Sequence, residues 1–300
     1  MNLNKIQPRQ RILILGGTGY IGSKLQERLS LTFEVKCIGI NSFYEYQFEQ
    51  TDILINLAAH SSVALCELFP KTAEFNNVIR LSKLLKHLPN ETYLIHASSA
   101  SVYGRGKEQS DEEDLLPTPQ NLYDSTKMKG DSIIREAISS GKKATSLRFG
   151  TVCGLSRVTR LDLVLNSMVK SGISSKRISI FGPETRRSVL FIDDLAEAIA
   201  RICIQKPIGI YNLGSINTTV GELGKAVQEF CGFESEENQL DTKSPYDFHL
   251  DCNKIESIIG NFRISSLEQT IKRLEKGLED GEQTRADLQG PHPMLSMQFN

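Results

Sequence analysis

The sequence predicts an α/β fold, a doubly wound parallel sheet with a smaller mixed α/β unit set over one end of it. Two observations carry this. Apolar runs of strand length alternate with longer segments of helical period through the first two-thirds of the 300 residues, the pattern of a parallel sheet covered on both faces. The first run, Arg11–Leu15, flows directly into Gly16-Gly17-Thr18-Gly19-Tyr20-Ile21-Gly22, a glycine-rich turn that opens a helix.

Arg11–Leu15 is the first strand and Tyr20–Leu29 the first helix. Gly16 supplies the positive φ that so abrupt a turn demands. Gly19, lacking Cβ, leaves the backbone open to a pyrophosphate, which the free N–H groups and positive dipole end of the helix also favour. Gly22 lets the helix lie close to the sheet. Gly17, Thr18, Tyr20 and Ile21 complete this dinucleotide-binding set; the spacing is Gly-x-x-Gly-x-x-Gly rather than Gly-x-Gly-x-x-Gly. A turn without a ligand is the competing reading, and the strand-turn-helix context weighs against it.

Further strands are expected at Glu34–Ile40, Asp52–Leu57, Thr92–Ala97, Ala144–Phe149, Ser188–Ile192 and Ile210–Leu213. Helices are expected at Lys71–Leu88, Tyr123–Ser140, Asp162–Lys170, Ile192–Ile204, Val220–Phe230 and Ser266–Leu278. After Gly154 the runs interleave less regularly. Residues 1–155 and 188–213 are therefore assigned to a dinucleotide-binding unit, 156–187 and 214–282 to a substrate-binding unit over the carboxyl ends of the main strands, and 283–300 to a mobile tail. Between the second strand, ending near Asn41, and the third only about ten residues remain, too few for a helical crossover to a parallel neighbour. Either an edge strand is lost or Ser42–Gln50 forms a compact link.

A formal charge of -1 gives no field for nucleic acid. Met1–Gln10 is polar and no apolar run is long enough to cross a bilayer, so a soluble, cytoplasmic protein without a membrane partner is expected. The six cysteines show no Cys-x-x-Cys pair and no nearby His cluster; reduced thiols are expected, and neither metal nor disulfide.

The strand Thr92–Ala97 runs into the polar loop Ser98-Ser99-Ala100-Ser101-Val102-Tyr103-Gly104, at the end of a strand where open parallel sheets bind ligands. Tyr123 and Lys127, at i and i+4, share one helix face. A neighbouring cation favours the phenolate, so Lys127 is expected to lower the pKa of Tyr123 and ready it as acid or base, with a loop serine holding the substrate oxygen. The competing reading is a surface Tyr and Lys on an amphipathic dimer helix. Arg186-Arg187 precedes a strand and offers a guanidinium for a pyrophosphate, with Arg157, Arg160 and Lys243 as possible helpers. Asp193-Asp194 opens a helix, where favourable charge at the N-terminus suffices as an explanation.

From Arg11 to Leu278 these residues resemble the extended short-chain dehydrogenase/reductases of the nucleotide-sugar epimerase, dehydratase and reductase group. The resemblance implies a Rossmann domain binding NAD or NADP, a smaller sugar-nucleotide domain, a homodimer through the helices near Lys71–Leu88 and Tyr123–Ser140, and work in cell-surface polysaccharide biosynthesis. Gly16, Gly19 and Gly22 match the group's cofactor loop, Leu57-Ala58-Ala59-His60 the segment passing the nicotinamide ribose, and Asn77 an Asn near the cofactor; Ala97 joins this set. Counting back from Val102-Tyr103-Gly104, the catalytic Ser/Thr falls on Ser99, with Tyr123 and Lys127 completing the triad. His60, Ser99, Ser101, Thr151, Arg160, Arg187 and Lys243 are the implied substrate contacts.

Departures from the group's pattern narrow the chemistry. Ala100 and Ser101 stand where dehydratases carry an acidic pair, which argues against a 4,6-dehydratase. Asn41 replaces the Asp that accepts the ribose hydroxyls, so NAD and NADP are not separated; Phe43, Tyr44 and Tyr46 offer stacking in compensation. Thr151 replaces a common Asn. The leading reading is hydride transfer at a carbon of a nucleotide-linked sugar, by a 4-ketosugar reductase or a 4-epimerase, with the shortened adenine side leaning to the reductase. A redox-inert dinucleotide sensor and a nucleotide-sugar decarboxylase are the alternatives.

Overall fold

Six parallel strands form the main sheet of the computed structural model, which describes residues 9–39, 48, 50–238 and 246–281. Their order is β2(Glu34–Ile38), β1(Arg11–Leu15), β3(Ile53–Asn56), β4(Tyr93–Ser99), β5(Ala144–Phe149), β9(Gly209–Leu213). The doubly wound α/β class expected from the sequence is thus observed. The alternation of side chains along each strand explains why both faces are apolar. Ile12, Ile14, Ile53 and Ile55 meet Leu25 and Leu29 of α1(Tyr20–Leu29) with Leu195 and Ile199 of α7(Ile192–Gln205). Leu13, Leu15, Leu54 and Leu94 face the other way, against Leu81, Leu84 and Leu85 of α4(Arg80–His87) and Ile134 of α5(Leu122–Ser139).

The chain from β3 to α4 contains α2(Val63–Leu68), which has no clear period in the sequence, then α3(Pro70–Glu74) and one π turn at Phe75–Ile79. Among the described residues β2 is the edge of the sheet, and its outward Glu34 and Lys36 suit an edge exposed to water. In the usual doubly wound order one further strand lies beyond this position. β3 pairs with the opposite side of β1, so the short link never has to place it beside β2. Asn41, Phe43, Tyr44, Tyr46, Lys243 and the tail 283–300 lie outside the described residues.

A second unit follows β5. Gly150 brings the backbone so near β8(Arg186–Phe191) that a Cβ would lie 2.8 Å from the Ser188 carbonyl oxygen, and the chain there leaves the main sheet. It continues as β6(Thr151–Cys153), in a three-stranded sheet of order β10-β8-β6 with β10(Ile216–Thr219). The boundary drawn at residue 188 therefore needs correcting. β8 pairs with β6 and β10, because its alternating residues Val189 and Phe191 face α6(Val164–Ser175), α8(Val220–Cys231) and α10(Leu267–Glu279), whereas α7 and β9 do return to the main sheet. β7(Arg177–Phe181) pairs with β11(Glu234–Asn238), and α9(Asn253–Ile259) packs against α7. Asp194 does more than favour a helix start: its buried carboxylate accepts from Ser215 Oγ at 2.6 Å and from the Ile264 and Ser265 amides at 2.9 Å, fastening the approach to α10 onto α7.

All six cysteines are free thiols. Among the described residues no helix is long and apolar enough to cross a membrane, and no three His, Cys, Asp or Glu side chains are grouped to hold a metal ion.

Candidate active site

The cofactor loop bends where β1 ends. Gly16 has φ +78°, in the left-handed region, and its N–H reaches the Ile38 carbonyl at 2.9 Å. Gly19 caps α1 without a side chain to offer, so no side-chain acceptor satisfies the first amides of the helix. A Cβ on Gly19 would meet only the Gly16 carbonyl oxygen, at 3.4 Å; protein packing does not exclude it, and room for an incoming anion accounts for the glycine. Gly22 differs from expectation in its partner. A Cβ there would come within 2.5 Å of Gly17 Cα, so the close approach is to the loop itself rather than to the sheet. Thr18 is exposed at the loop tip, and Tyr20 and Ile21 turn into the cleft, Tyr20 Oη donating to the Gly154 carbonyl at 2.8 Å.

The cleft, about 430 Å³, lies over the carboxyl ends of β1, β3, β4 and β5, between the main sheet and the second unit. Leu57 and Ala59 reach it from the loop after β3, Ala97, Ser98, Ser99 and Ser101 from the end of β4, Tyr123 and Lys127 from α5, Thr151 from β6, and Arg160 and Arg187 from the second unit. Ser99, Tyr123 and Lys127, set 28 positions apart at their extremes, thus share one cavity. The Ser99 hydroxyl stands beside the Tyr123 phenol, near enough to favour its ionised form. Lys127 Nζ donates to the Ala97 carbonyl at 2.8 Å and stands 5.8 Å from the Tyr123 ring centre. Ser98 Oγ is buried in the cleft wall with no hydrogen-bond partner among the described residues, which leaves it for a ligand.

The electrostatics correct one expectation. Burial pushes the Tyr123 phenol above its ordinary value, against the opposing pull of the Ser99 hydroxyl and the Arg160 charge. Lys127 was expected to carry it down. Burial lowers the Lys127 amine itself to about 8, its charge being supported by Asp131 one turn on, and for the Tyr123 phenol desolvation is the largest influence.

Other expected contacts are reassigned by the fold. His60 is fully buried: its N–H goes to Asn77 Oδ1 at 2.7 Å, its ring to Asn76 at 3.3 Å, and it is absent from the cleft lining. A substrate contact from His60 is not what the geometry supports. Asn77 likewise serves the protein, donating to the His60 carbonyl at 3.1 Å and to Thr126 Oγ1 at 3.0 Å; it ties the Leu57-Ala58-Ala59 loop to α5 instead of touching the cleft. Of the arginine pair, Arg186 is held by Asp247 at 3.1 Å, while Arg187 faces the cleft and donates to the Tyr246 carbonyl. Arg160 grips Asp162 and reaches Ser61 Oγ and carbonyl at 3.2 Å, bridging the two walls.

The sequence reading missed Asp124, Tyr246 and Phe248. Tyr246 and Phe248 line the cleft, and Tyr246 Oη donates at 2.9 Å to Oδ1 of Asp124, 122 positions earlier in the chain. The aromatic-acidic run Tyr246-Asp247-Phe248-His249 was the available signal.

With this geometry in place the comparisons are decisive on family. A model of the NAD dependent epimerase/dehydratase family matches residues 43–214, more than half of the chain. The chain belongs to that family. Members similar to it include "Protein CapI" of Staphylococcus aureus, 26% identical across 77% of this chain and 86% of that protein, and UDP-glucose 4-epimerase of Lactobacillus helveticus, 27% identical across 68% and 76%. Among solved structures, the UDP-glucuronic acid 4-epimerase of Bacillus cereus, in complex with UDP-glucuronic acid and NAD, superposes with a TM-score of 0.78 over 90% of this chain and 99% of that one at 20% identity. At that identity the likeness bears on the fold, and it agrees with the Rossmann-type sheet of the epimerase/dehydratase family described above.

Proposed function

We propose that this family member transfers hydride at a carbon of a nucleotide-linked sugar, with NAD or NADP as coenzyme, as a 4-ketosugar reductase or 4-epimerase. The observation that carries the reading is the meeting of Ser99, Tyr123 and Lys127 in one cleft bordered by the uncapped start of α1. The residues fit a dinucleotide. Gly16 to Gly22 and the first amides of α1 would hold its pyrophosphate, and Leu57, Ala58, Ala59 and Ala97 would flank its nicotinamide half. When bound, the nicotinamide supplies the hydride chemistry.

The protein's part is proton handling and orientation. Tyr123 takes the proton from the sugar hydroxyl on oxidation and returns it on reduction. Ser99, beside that phenol, holds the same sugar oxygen and keeps it in line. Lys127, fixed by the Ala97 carbonyl, sets a cation beneath the pair. Arg187 is assigned to the diphosphate, with Arg160 and Thr151 on the wall beside it. The two units divide the work between coenzyme and sugar. We further infer a homodimer through the outer face of α5, where Val78, Pro119, Met128 and Ile133 line an open apolar groove.

Relatives named for UDP-glucose 4-epimerase and for spore coat polysaccharide biosynthesis support a nucleotide sugar destined for a surface polysaccharide. The deciding test is Tyr123→Phe assayed on a panel of nucleotide sugars with NAD and NADP. Activity should be lost on every accepted sugar; retention of full activity refutes the assignment. Coenzyme that stays with the protein through gel filtration favours the epimerase, and coenzyme that leaves favours the reductase.

A further inference from the structure

Of the arginines expected to serve a substrate's phosphates, Arg160 and Arg187 line the cleft and Arg157 does not. Arg157 is exposed, with no hydrogen-bond or ion-pair partner among the described residues. The segment that carries it is nevertheless tightly built. The Gly154 N–H donates to Asn166 Oδ1 at 2.9 Å, Asn166 Nδ2 donates to the Arg160 carbonyl at 2.8 Å, and between them the buried Thr159 Oγ1 accepts from the Ser156 N–H at 3.0 Å. The same segment is fastened onto the first turn of α1. Tyr20 Oη donates to the Gly154 carbonyl at 2.8 Å, and Ser23 Oγ stands 2.7 Å from Ser156 Oγ, which donates to the Tyr20 carbonyl at 2.9 Å. Arg157, a residue of the second unit, is thereby carried beside the glycine loop. A Cβ on Gly17 would lie 2.7 Å from Cys37 Sγ, so that loop rests on β2 at the penultimate residue of the strand. The Arg157 charge reaches the same thiol, drawing it down against the burial that raises it. Thr18, next in the loop, is exposed at the tip.

In a doubly wound fold the end of the second strand meets the adenosine ribose, where an acid accepts the 2′-hydroxyl of NAD or an arginine accommodates the 2′-phosphate of NADP. We propose that Arg157, supplied by the second unit across the start of α1, binds the 2′-phosphate of NADP and makes NADP the preferred coenzyme. This rests on the dinucleotide reading above and decides between its two coenzymes. β2 closes without an acid. Its one carboxylate, Glu34, lies at the far end in register with Arg11, and the sequence from Val35 through Tyr44 contains no Asp or Glu. A phosphate monoester carries nearly two negative charges at neutral pH, and a guanidinium can meet it with two parallel N–H donors. The ribose hydroxyl of NAD gains far less from the same cation. Because Arg157 has no partner in the protein to give up, turning to a phosphate breaks no existing bond, and the rigid loop beneath it limits how far the side chain must search.

The test is isothermal titration calorimetry of the wild type and Arg157→Ala with NAD and NADP, and with adenosine 5′-monophosphate and adenosine 2′,5′-bisphosphate as probes of the adenosine half alone. The wild type should bind NADP about tenfold more tightly than NAD, the worth of one charge-assisted pair, and the two adenosine probes should differ by a similar factor. Arg157→Ala should lose the preference while its NAD affinity and melting temperature stay those of the wild type, since the side chain is exposed and holds no other group. Arg157→Lys should keep part of it, as a charge without the fork. Raising salt from about 50 mM to about 500 mM should shrink the preference of the wild type and leave Arg157→Ala unaffected. A wild type that binds NAD as tightly as NADP, or an Arg157→Ala variant that keeps the preference, overturns this assignment, while the dinucleotide reading stands on the binding of either coenzyme. Failure of the wild type to bind both dinucleotides removes that reading and this proposal with it.

Discussion

Asp131→Ala should be among the most damaging single changes outside the cleft. Arg148 and Asp131 have side chains 0% and 3% exposed, and Nε meets Oδ2 at 2.8 Å. Ser146 Oγ donates to the other carboxylate oxygen at 2.6 Å, and Arg148 Nη1 donates to Tyr103 Oη at 2.8 Å, which in turn donates to Asn212 Oδ1 at 2.8 Å. Deleting the carboxylate strands a guanidinium that stays charged at any workable pH. Breaking such a buried pair from one side costs about 3–5 kcal/mol, and the orphaned Ser146 hydroxyl adds about 1 kcal/mol. A melting temperature lower by roughly 10–15 °C follows for a protein of this size. Urea and thermal unfolding, followed by circular dichroism, measure it. Lys143→Ala is the control, because its partner Glu91 lies at the open surface and no measurable loss is expected there. The double variant Asp131→Leu with Arg148→Met should recover most of the loss, since both desolvation penalties leave with the charges. A loss under about 1 kcal/mol for Asp131→Ala, the range of surface pairs, would refute the reasoning.

Gly19→Ala and Gly22→Ala should separate coenzyme binding from packing. Gly19→Ala has room in the protein and should keep its melting temperature while NAD affinity in calorimetry falls; Gly22→Ala forces a backbone shift and should lose about 1–3 kcal/mol of stability as well. Equal effects from the two would contradict the loop geometry. Lys127 stands at about 8 in the fold against 10.5 as its ordinary value, so below pH 8 both states hold the proton and the burial cost is present in full. Between those values the native state releases the proton first, and the stability of wild type relative to Lys127→Met should rise with pH across that window; a flat difference would contradict a buried amine. Met128→Asp, in the outer groove of α5, should convert a dimer to monomer in analytical ultracentrifugation without altering the fold. An unchanged sedimentation coefficient would place the interface elsewhere.

The main sheet was legible in the sequence because its strands are apolar on both faces and its helices on one, a difference of period that survives without tertiary information. Arg11–Leu15, Tyr20–Leu29 and Ala144–Phe149 coincide with β1, α1 and β5. Several of the elements missed have a pattern too short to show a period. β6 has three residues and β10 four, and α2 has six with only Cys66 buried. β8 was found as a strand yet given to the wrong sheet, since an apolar run states that it is buried and not what buries it. Gly150 decides that question, through a backbone approach to Ser188 that no local pattern announces.

The site divides along the same line. Ser99, Tyr123 and Lys127 were legible because each sits at a place local structure defines: a strand's carboxyl end, and two positions one turn apart on a helix. His60 was misplaced for the complementary reason. Lying next to Ala59, which does line the cleft, it points the opposite way, and its ring is taken up by Asn76. Asp124 and Tyr246 show the limit most sharply. Each has a sufficient local explanation, a helix-starting acid and an aromatic in an aperiodic stretch, and only their 2.9 Å contact across 122 positions ties Tyr246 of the cleft wall to α5. Adjacency to cleft-lining residues was therefore a poor guide to orientation, whereas a buried carboxylate that accepts from Tyr246 and Asn121 is a signature that the folded chain alone can display.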